Sequence, residues 1–401
     1  LYVPLALPGD ALTVRISARR GAGYAADLVE ARTLMPRQAP ACAHFGACGG
    51  CRLQHLSPID YRAWKRQRVV SALAHRGIED VEIKPLIDTS PAARRRLRLA
   101  FCKSNQGVSL GFRRRLGKEI VDIRDCAIAL PIIVNLLNPL RHCLSTLDLA
   151  AKPGEVSITA ADNGLDLLLQ TLAPPNLADR EALAAFAETS DLARLAWRGD
   201  ATEPAEPIAA RRQPMVDAGG IPIALPSGAF LQATHEAERA IRAAVARAIH
   251  DAETIADLFA GCGALSLPFA AESRRIHAIE RDPDMVRTLS AAARTAGLQA
   301  HVDAAARDLD REPLSGDELD RFDAVILDPP RAGARPQVEA IARAASPQTI
   351  AMVSCNPGTF ARDARILTDA GYQHLWTQPI DAFQYAAEIE LVAAFERTKA
   401  S

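Results

Sequence analysis

The sequence predicts an α/β protein whose C-terminal part is a doubly wound, mostly parallel sheet. Three observations lead there. From about residue 235, short apolar runs of strand length (TIADLF, RRIHAIE, FDAVILD, TIAMVS) alternate with segments of helical length and periodicity. No such alternation is visible before that point, where hairpin signals dominate. The most distinctive turn chemistry, GCG, DPPR and SCNPG, directly follows strand runs. An open parallel sheet places its ligands at those carboxyl ends.

At 401 residues the chain exceeds one domain by the usual allowance of about 150 residues each, and two to three domains are expected. Its 49% hydrophobic and 24% charged residues are the balance of a globular protein, which excludes disorder as the main state. No apolar run approaches membrane-spanning length and no export signal opens the sequence. A cytoplasmic, reducing setting with no membrane partner is therefore expected, and Leu at position 1 suggests that the natural chain starts earlier. The net charge of −1 conceals an asymmetry: residues 1–130 hold 22 Lys+Arg against 11 Asp+Glu. A basic front third points to a polyanion partner, since Lys and Arg contacts to phosphate dominate nucleic-acid affinity. A merely solvated basic surface would read the same way.

The elements follow in order. Residues 1–34 alternate apolar and polar around Gly21 and Gly23, the pattern of short barrel strands joined by a turn. After Pro36 and Pro40 comes the cysteine-rich stretch ACAHFGACGGCRLQHL, then an apolar-periodic helix over 61–76. RRLRLAF and VSLGFRR flank the turn residues 104–107 as a hairpin, a third strand covers 119–123, and this meander delivers Cys126. Asn163-Gly164 marks a second hairpin, and the three prolines within 202–214 read as a linker. The closing part predicts helices over 236–249 and 283–296, an alanine-rich helix after TIADLF, a strand at QAHVD and two last strands. Domains are accordingly drawn at 1–40, 41–230 and 231–401.

Chemistry concentrates in a few runs. DLFAGCGALSL carries Gly261 and Gly263 between a strand and a helix, and the next strand ends in Glu280, placed to accept from ribose hydroxyls. Ser266 replaces the third glycine of a dinucleotide turn, which favours S-adenosylmethionine over a nicotinamide cofactor; a bare structural turn is the plainer alternative. Cys262 reads as a packing residue. Asp328-Pro329-Pro330-Arg331 forms a rigid turn, with Arg331 where amino-group methylases carry an aromatic. Cys355 follows the TIAMVS strand at a helix start, a position suited to thiolate attack, although a lone cysteine is as often inert and buried. Its company of a cofactor loop, DPPR, and the acids Glu388 and Glu390 favours the nucleophile.

Cys42, Cys48 and Cys51 have Cx5Cx2C spacing, with Cys126 the nearest fourth thiol. An iron–sulfur cluster, a structural zinc with His44 or His55 as alternative ligands, and unligated cysteines all fit this spacing. Arg94, Arg95, Arg96 and Arg98, with Arg113, Arg114 and Arg115, occupy the two arms of one hairpin, a phosphate-gripping face or a solvated one.

Taken together, CAHFGACGGCRLQHL, GFRRRLGKEIVDIRDC, GAFLQATHEAE, DLFAGCGALSLPFA, ILDPPRAG and MVSCNPGTFARD resemble, in the same order, the S-adenosylmethionine-dependent RNA uridine 5-methyltransferases of the TrmA and RumA type. The resemblance spans nearly the whole chain. It implies a class I methyltransferase sheet, a central RNA-binding domain and a truncated N-terminal OB-like (TRAM) barrel. It implies that Cys42, Cys48, Cys51 and Cys126 hold a [4Fe–4S] cluster. Gln232, Phe259, Gly261, Gly263, Glu280, Asp308 and Asp328 would line the S-adenosylmethionine pocket, with Cys355 the nucleophile and Glu390 the base. One departure stands out: where the family has FPHT and a His-x-Glu, this chain has Phe383, Gln384, Tyr385, Ala386 and then Glu388-Ile389-Glu390. Glu390 keeps the glutamate's place and Glu388 replaces the histidine. The expected partner is RNA, ribosomal before transfer RNA, bound by a monomer. The competing readings are a cluster-bearing RNA-binding protein of the same fold without turnover, and an RNA cytosine 5-methyltransferase.

Overall fold

The computed structural model describes residues 1–7, 9–20, 23–115 and 117–398. Its C-terminal sheet runs, in spatial order, Val302–Ala306, Arg275–Glu280, Thr254–Leu258, Ala324–Leu327, Thr349–Ser354, Glu390–Arg397, Tyr372–Ile380 and Glu82–Ile83. The first five strands are parallel, whereas Glu390–Arg397 is antiparallel to both its neighbours. Along these strands successive side chains alternate between two cores. Ile255, Ile326 and Val353 pack under helices His235–Ala248 and Pro283–Thr295. Ala256, Leu327 and Met352 pack under helices Arg335–Arg343 and Pro357–Asp369. Burial on both faces explains why these strands are mostly apolar.

Strand order reverses between Thr254–Leu258 and Ala324–Leu327, so the crevice that receives ligands lies at their carboxyl ends. The antiparallel strand brings its first residue to the same edge. Its register pairs Ser354 with Leu391, and Glu390 is therefore carried alongside Cys355.

The central sheet has seven strands, in the order Glu206–Ala210, Arg194–Arg198, Gly164–Gln170, Gly154–Ala161, Arg96–Ser104, Gly107–Arg113 and Ile120–Asp122. Helices Pro131–Thr146 and Leu177–Thr189 cover it through Leu136, Leu137, Leu183 and Phe186. Both hairpins and the meander that ends before Cys126 form as the sequence indicates.

Several expectations are corrected. The proline-rich stretch 202–214 is not only a linker: Glu206–Ala210 pairs antiparallel with Arg194–Arg198 as the sheet's edge strand, a place where Pro207 costs no ladder bond on its solvent side. Residues 11–33 form a two-stranded antiparallel ribbon, Ala11–Arg20 with Gly23–Thr33, and two strands close no barrel; Gly21 lies outside the described residues. The helix expected over 61–76 starts earlier, at Pro58, because Ser57 caps it by accepting from the Asp60 N–H and Pro58 occupies its first turn. The alanine-rich helix is only Leu267–Ala271, and the strand expected at QAHVD is Val302–Ala306. Val69 and Leu73 of helix Pro58–Ala74 pack in the core under helix Pro357–Asp369, and Val216, Ile221 and Ile223 join the core under helix His235–Ala248. Both segments, drawn with the central domain from sequence, pack on the C-terminal sheet.

Candidate active site

The loop after Thr254–Leu258 is held in an unusual backbone conformation. Phe259, Gly261 and Gly263 have φ of +65°, +56° and +82°. The two glycines serve different ends. A Cβ on Gly261 would meet nothing within 4 Å, whereas one on Gly263 would sit 2.8 Å from Leu289 Cγ and 3.0 Å from Leu267 Cγ. Gly261 thus opens the loop toward a ligand, and Gly263 lets helices pack closely. Gly263 is not among the residues that line the cavity beside this loop. Glu280 closes the neighbouring strand and accepts from the Gly261 N–H at 3.1 Å and the Asp282 N–H at 2.9 Å.

A cavity of about 670 Å³ lies at this edge of the sheet. Gln232, Phe259, Gly261, Glu280, Asp308, Asp328, Cys355 and Glu390 all line it. The sequence reading missed Asp257, Met285, Arg331 and Phe383 as lining groups. Asp257 is legible as the acid within TIADLF and Arg331 as the end of the DPPR turn, whereas Met285, on helix Pro283–Thr295, and Phe383 reach the cavity through tertiary packing.

The electrostatics are those of acids deprived of water. Burial raises Asp257 to about 6 and Asp328 to about 7, with Glu280 adding to the first and Asp257 to the second. Glu390 is pushed well above the usual carboxylate range by burial and by Asp328. Both Asp257 carboxylate oxygens and Gln232 Oε1 are buried without a hydrogen-bond partner, the nearby Ser266 hydroxyl lying outside bonding geometry. Gln232 Nε2 donates to Asp328 Oδ2 at 3.4 Å. Unpaired buried acceptors of this kind call for a ligand that brings donors and positive charge. S-adenosylmethionine, a sulfonium with an ammonium group and ribose hydroxyls, fits that demand.

Two turns meet at the cavity. Asn356 caps helix Pro357–Asp369 by accepting from the Gly358 N–H at 3.1 Å, and its Nδ2 donates to the Arg331 carbonyl at 3.1 Å. This bond locks the DPPR turn to the turn that carries Cys355. The Cys355 thiol is raised to about 11 by burial and by the Glu390 and Asp328 carboxylates, against the pull of Arg331. Glu388 does not line the cavity; its Oε1 accepts from Arg331 Nη1 at 3.3 Å. Burial opposes its ionisation, but its backbone contact, Arg52 and Arg331 together hold it below its ordinary value.

The central sheet helps to hold the cofactor side. Arg95, fully buried, donates to the Gln232 carbonyl at 2.9 Å and pairs with Glu238 of helix His235–Ala248. Arg96 donates to the Leu231 carbonyl at 2.9 Å. Arg95 is thus withdrawn from the surface and Arg96 only partly exposed, as strand alternation sends only part of such a cluster to one face. Arg98, Arg113 and Arg114 remain outside, in exposed pairs with Glu155 and Glu119.

Cys42, Cys48, Cys51 and Cys126 line one small cavity together with His44, Phe45 and Phe112. Gly49 permits the approach, because a Cβ there would lie 2.7 Å from the Arg113 carbonyl oxygen. Burial raises the Cys51 thiol to about 11 and lifts Cys48 and Cys126 in the same direction, with neighbouring thiols adding to it. His55 faces elsewhere: its Nε2 bonds the Leu5 carbonyl at 3.2 Å. Among the described residues no group of three or more His, Cys, Asp and Glu side chains is placed to hold a metal ion.

The reversal of strand order, the glycine turn with Ser266 in place of a third glycine, and the acceptor-rich cavity set this chain among the doubly wound S-adenosylmethionine-dependent methyltransferases. A family model described as the TRM5/TYW2 methyltransferase domain matches residues 232–335. A protein of Mesorhizobium japonicum described as an uncharacterized RNA methyltransferase is 40% identical, covering 100% of this chain and 93% of the relative. The 23S rRNA (uracil(1939)-C(5))-methyltransferase RlmD of Aeromonas hydrophila is 31% identical over 99% of this chain and 91% of its own length. The crystal structure of the Pyrococcus abyssi tRNA (uracil-54, C5)-methyltransferase with S-adenosyl-L-homocysteine superposes with a TM-score of 0.76 at 22% identity, covering 98% of this chain and 94% of the other, which shows a shared fold. The chain belongs to the S-adenosylmethionine-dependent RNA uracil-5-methyltransferase family. No helix among the described residues is long and apolar enough to cross a membrane.

Proposed function

We propose that this protein methylates carbon 5 of a uridine in RNA, ribosomal RNA before transfer RNA, with Cys355 as nucleophile and Glu390 as base. The observation that carries the reading is the convergence of Cys355 and Glu390 on one cavity from neighbouring strands of opposite direction. The relative of known specificity that matches across its length acts on 23S rRNA, which favours the ribosomal substrate.

Gln232, Phe259, Gly261, Glu280, Asp308 and Asp328 would hold S-adenosylmethionine. That molecule supplies an electrophilic methyl group. The target uridine must leave its stack to reach the cavity. Carbon 5 of uracil is a poor nucleophile until the Cys355 thiolate bonds to carbon 6, which moves the double-bond electrons toward the carbon 4 carbonyl and makes carbon 5 enolate-like. Carbon 5 then bonds the methyl carbon as the bond from that carbon to sulfur breaks, its electron pair staying on sulfur and S-adenosylhomocysteine departing as the thioether. Glu390, as carboxylate, takes the proton from carbon 5. The electrons of that C–H bond restore the double bond as the carbon 6–sulfur bond breaks, and the thiolate is released. Burial and the Glu390 and Asp328 carboxylates raise the Cys355 thiol, which fits a nucleophile that loses its proton once a cationic ligand engages those carboxylates. Glu388, paired with Arg331 outside the cavity, is the weaker candidate for base.

The four thiols fit the donor chemistry of a [4Fe–4S] cluster. A cluster spreads its ligands over several irons and so asks for thiols that surround a cavity, whereas one zinc asks for ligands that meet at a point. Cys42, Cys48, Cys51 and Cys126 would hold it and tie the 42–51 loop to the end of the meander.

RNA containing 5-fluorouridine tests the mechanism, because fluorine cannot leave as a proton. Wild type with S-adenosylmethionine should form a denaturation-resistant protein–RNA complex, and Cys355→Ala should form none. Glu390→Gln should accumulate the adduct on ordinary RNA. No trapped complex on wild type would sink the thiol mechanism, and trapping by Glu388→Gln instead of Glu390→Gln would move the base two residues.

A further inference from the structure

A buried polar centre lies between helix Pro58–Ala74 and the turn 381–389, outside the reacting groups. Lys65 is 0% exposed, and three oxygens surround its ammonium, one in an ion pair and two accepting hydrogen bonds. These are Asp381 Oδ1 at 2.8 Å, the Phe383 carbonyl at 3.0 Å and the Glu388 carbonyl. The Tyr61 hydroxyl donates to Asp381 Oδ2 at 2.6 Å and accepts from the Tyr385 N–H at 2.8 Å. Tyr385 is itself held at φ +58°, and its carbonyl accepts from the N–H groups of Arg52 and Leu53.

The turn leaves strand Tyr372–Ile380 and enters strand Glu390–Arg397. It therefore determines where the second strand begins. One ammonium grips a carbonyl near each end of it, and one hydroxyl grips its middle. A buried ion pair is a poor source of net stability, since apolar side chains of similar size often serve as well or better. What such a centre supplies is a fixed position. Here the fixed objects are Phe383, which lines the cavity, and Glu390, which begins the next strand.

We propose that Lys65 and Tyr61 are positioning residues for proton removal: with Asp381 they hold the turn 381–389 so that Glu390 faces carbon 5 of the Cys355 adduct. The inference rests on the reading of Cys355 as nucleophile and Glu390 as base. It extends that reading to residues some 320 positions away in sequence.

Tyr61→Phe keeps the ring and removes both hydrogen bonds. Its kcat on RNA should fall about tenfold, the effect of roughly 1.4 kcal/mol on a barrier, while the KM values for RNA and S-adenosylmethionine stay within about twofold. Deuterium at carbon 5 of the target uridine should slow the variant more than it slows wild type, because proton removal becomes the slow step. Lys65→Met should show the same signature more strongly; if it does not fold, Tyr61→Phe decides alone. An unchanged kcat, or a fall in kcat with no rise in the isotope effect, overturns the proposal, since a mere loss of folded enzyme leaves isotope sensitivity alone. Wild type that traps 5-fluorouridine RNA while Tyr61→Phe behaves normally removes only the positioning role. Wild type that traps nothing removes the reading beneath it.

Discussion

Asp328 and Glu390 face one cavity, and the Asp328 carboxylate adds to the burial that disfavours ionisation of Glu390. With Asp257 they form a group of carboxyls in which Asp257 and Glu390 are buried and Asp328 is partly buried. In water these groups would ionise near pH 4. In the folded chain they keep their protons to much higher pH, and this has consequences for stability, for ligand binding and for the reaction.

The first consequence is a ligand-free protein that loses stability as pH rises. Asp328 is raised from its ordinary 3.8 to about 7. Below about pH 4 its carboxyl is protonated whether the chain is folded or not, and the folded state bears no penalty. Between pH 4 and 7 the unfolded chain ionises first, so stability declines through that window, and above pH 7 the full penalty applies. Asp328→Asn should therefore unfold at higher urea than wild type at pH 8, by on the order of 2–4 kcal/mol, with the gap closing toward pH 4. A variant less stable than wild type at pH 8 would contradict the charge assignment.

Ligand binding should draw these protons off. A sulfonium beside Asp328 and Glu390 favours their carboxylate forms. Titration calorimetry at pH 6.5 in buffers of different ionisation enthalpy should show proton release when S-adenosylmethionine binds, and less release with S-adenosylhomocysteine, which lacks the sulfonium charge. Equal release for the two ligands would place the cation away from these carboxyls.

The surface arginines make a separate prediction. Arg113 and Arg114 sit in exposed pairs with Glu155 and Glu119, which contribute little in water and exchange readily for phosphate. Replacing both by Ala should weaken RNA binding at low salt. It should also flatten the dependence of log affinity on log salt by about 1.4 to 1.8, the value for two lost phosphate contacts. An unchanged slope would leave them as solvated surface.

Much of this molecule was legible before any coordinates. The parallel sheet is readable because strands buried on both faces are mostly apolar, as TIAMVS is and TIADLF is apart from Asp257. Glu280, Asp328 and Cys355 could be placed because each directly follows or ends such a strand, and strand ends are where an open sheet holds ligands. The cysteine spacing and the paired hairpin signals are equally local. What stayed hidden depends on contacts between distant segments. A cluster of arginines looks the same in sequence whether it faces RNA or, like Arg95, is buried against Glu238 and the Gln232 carbonyl. The proline-rich edge strand at 206–210 looked like a linker because an edge strand needs only one set of partners.

By itself, then, the amino-acid sequence determined the fold class, the order of its elements and which residues stand at the strand ends, all of which follow from periodicity and turn chemistry over short spans. Tertiary structure alone decided the rest. It separated Gly261, open to the cavity, from Gly263, packed on Leu289. It put Glu390 rather than Glu388 inside the cavity, and it moved helix Pro58–Ala74 onto the C-terminal sheet, where Lys65 meets the turn 381–389. The physical reason is common to all three: which side of a backbone faces a cavity, and which charge loses its water, are set by neighbours far along the chain, and no local pattern records them.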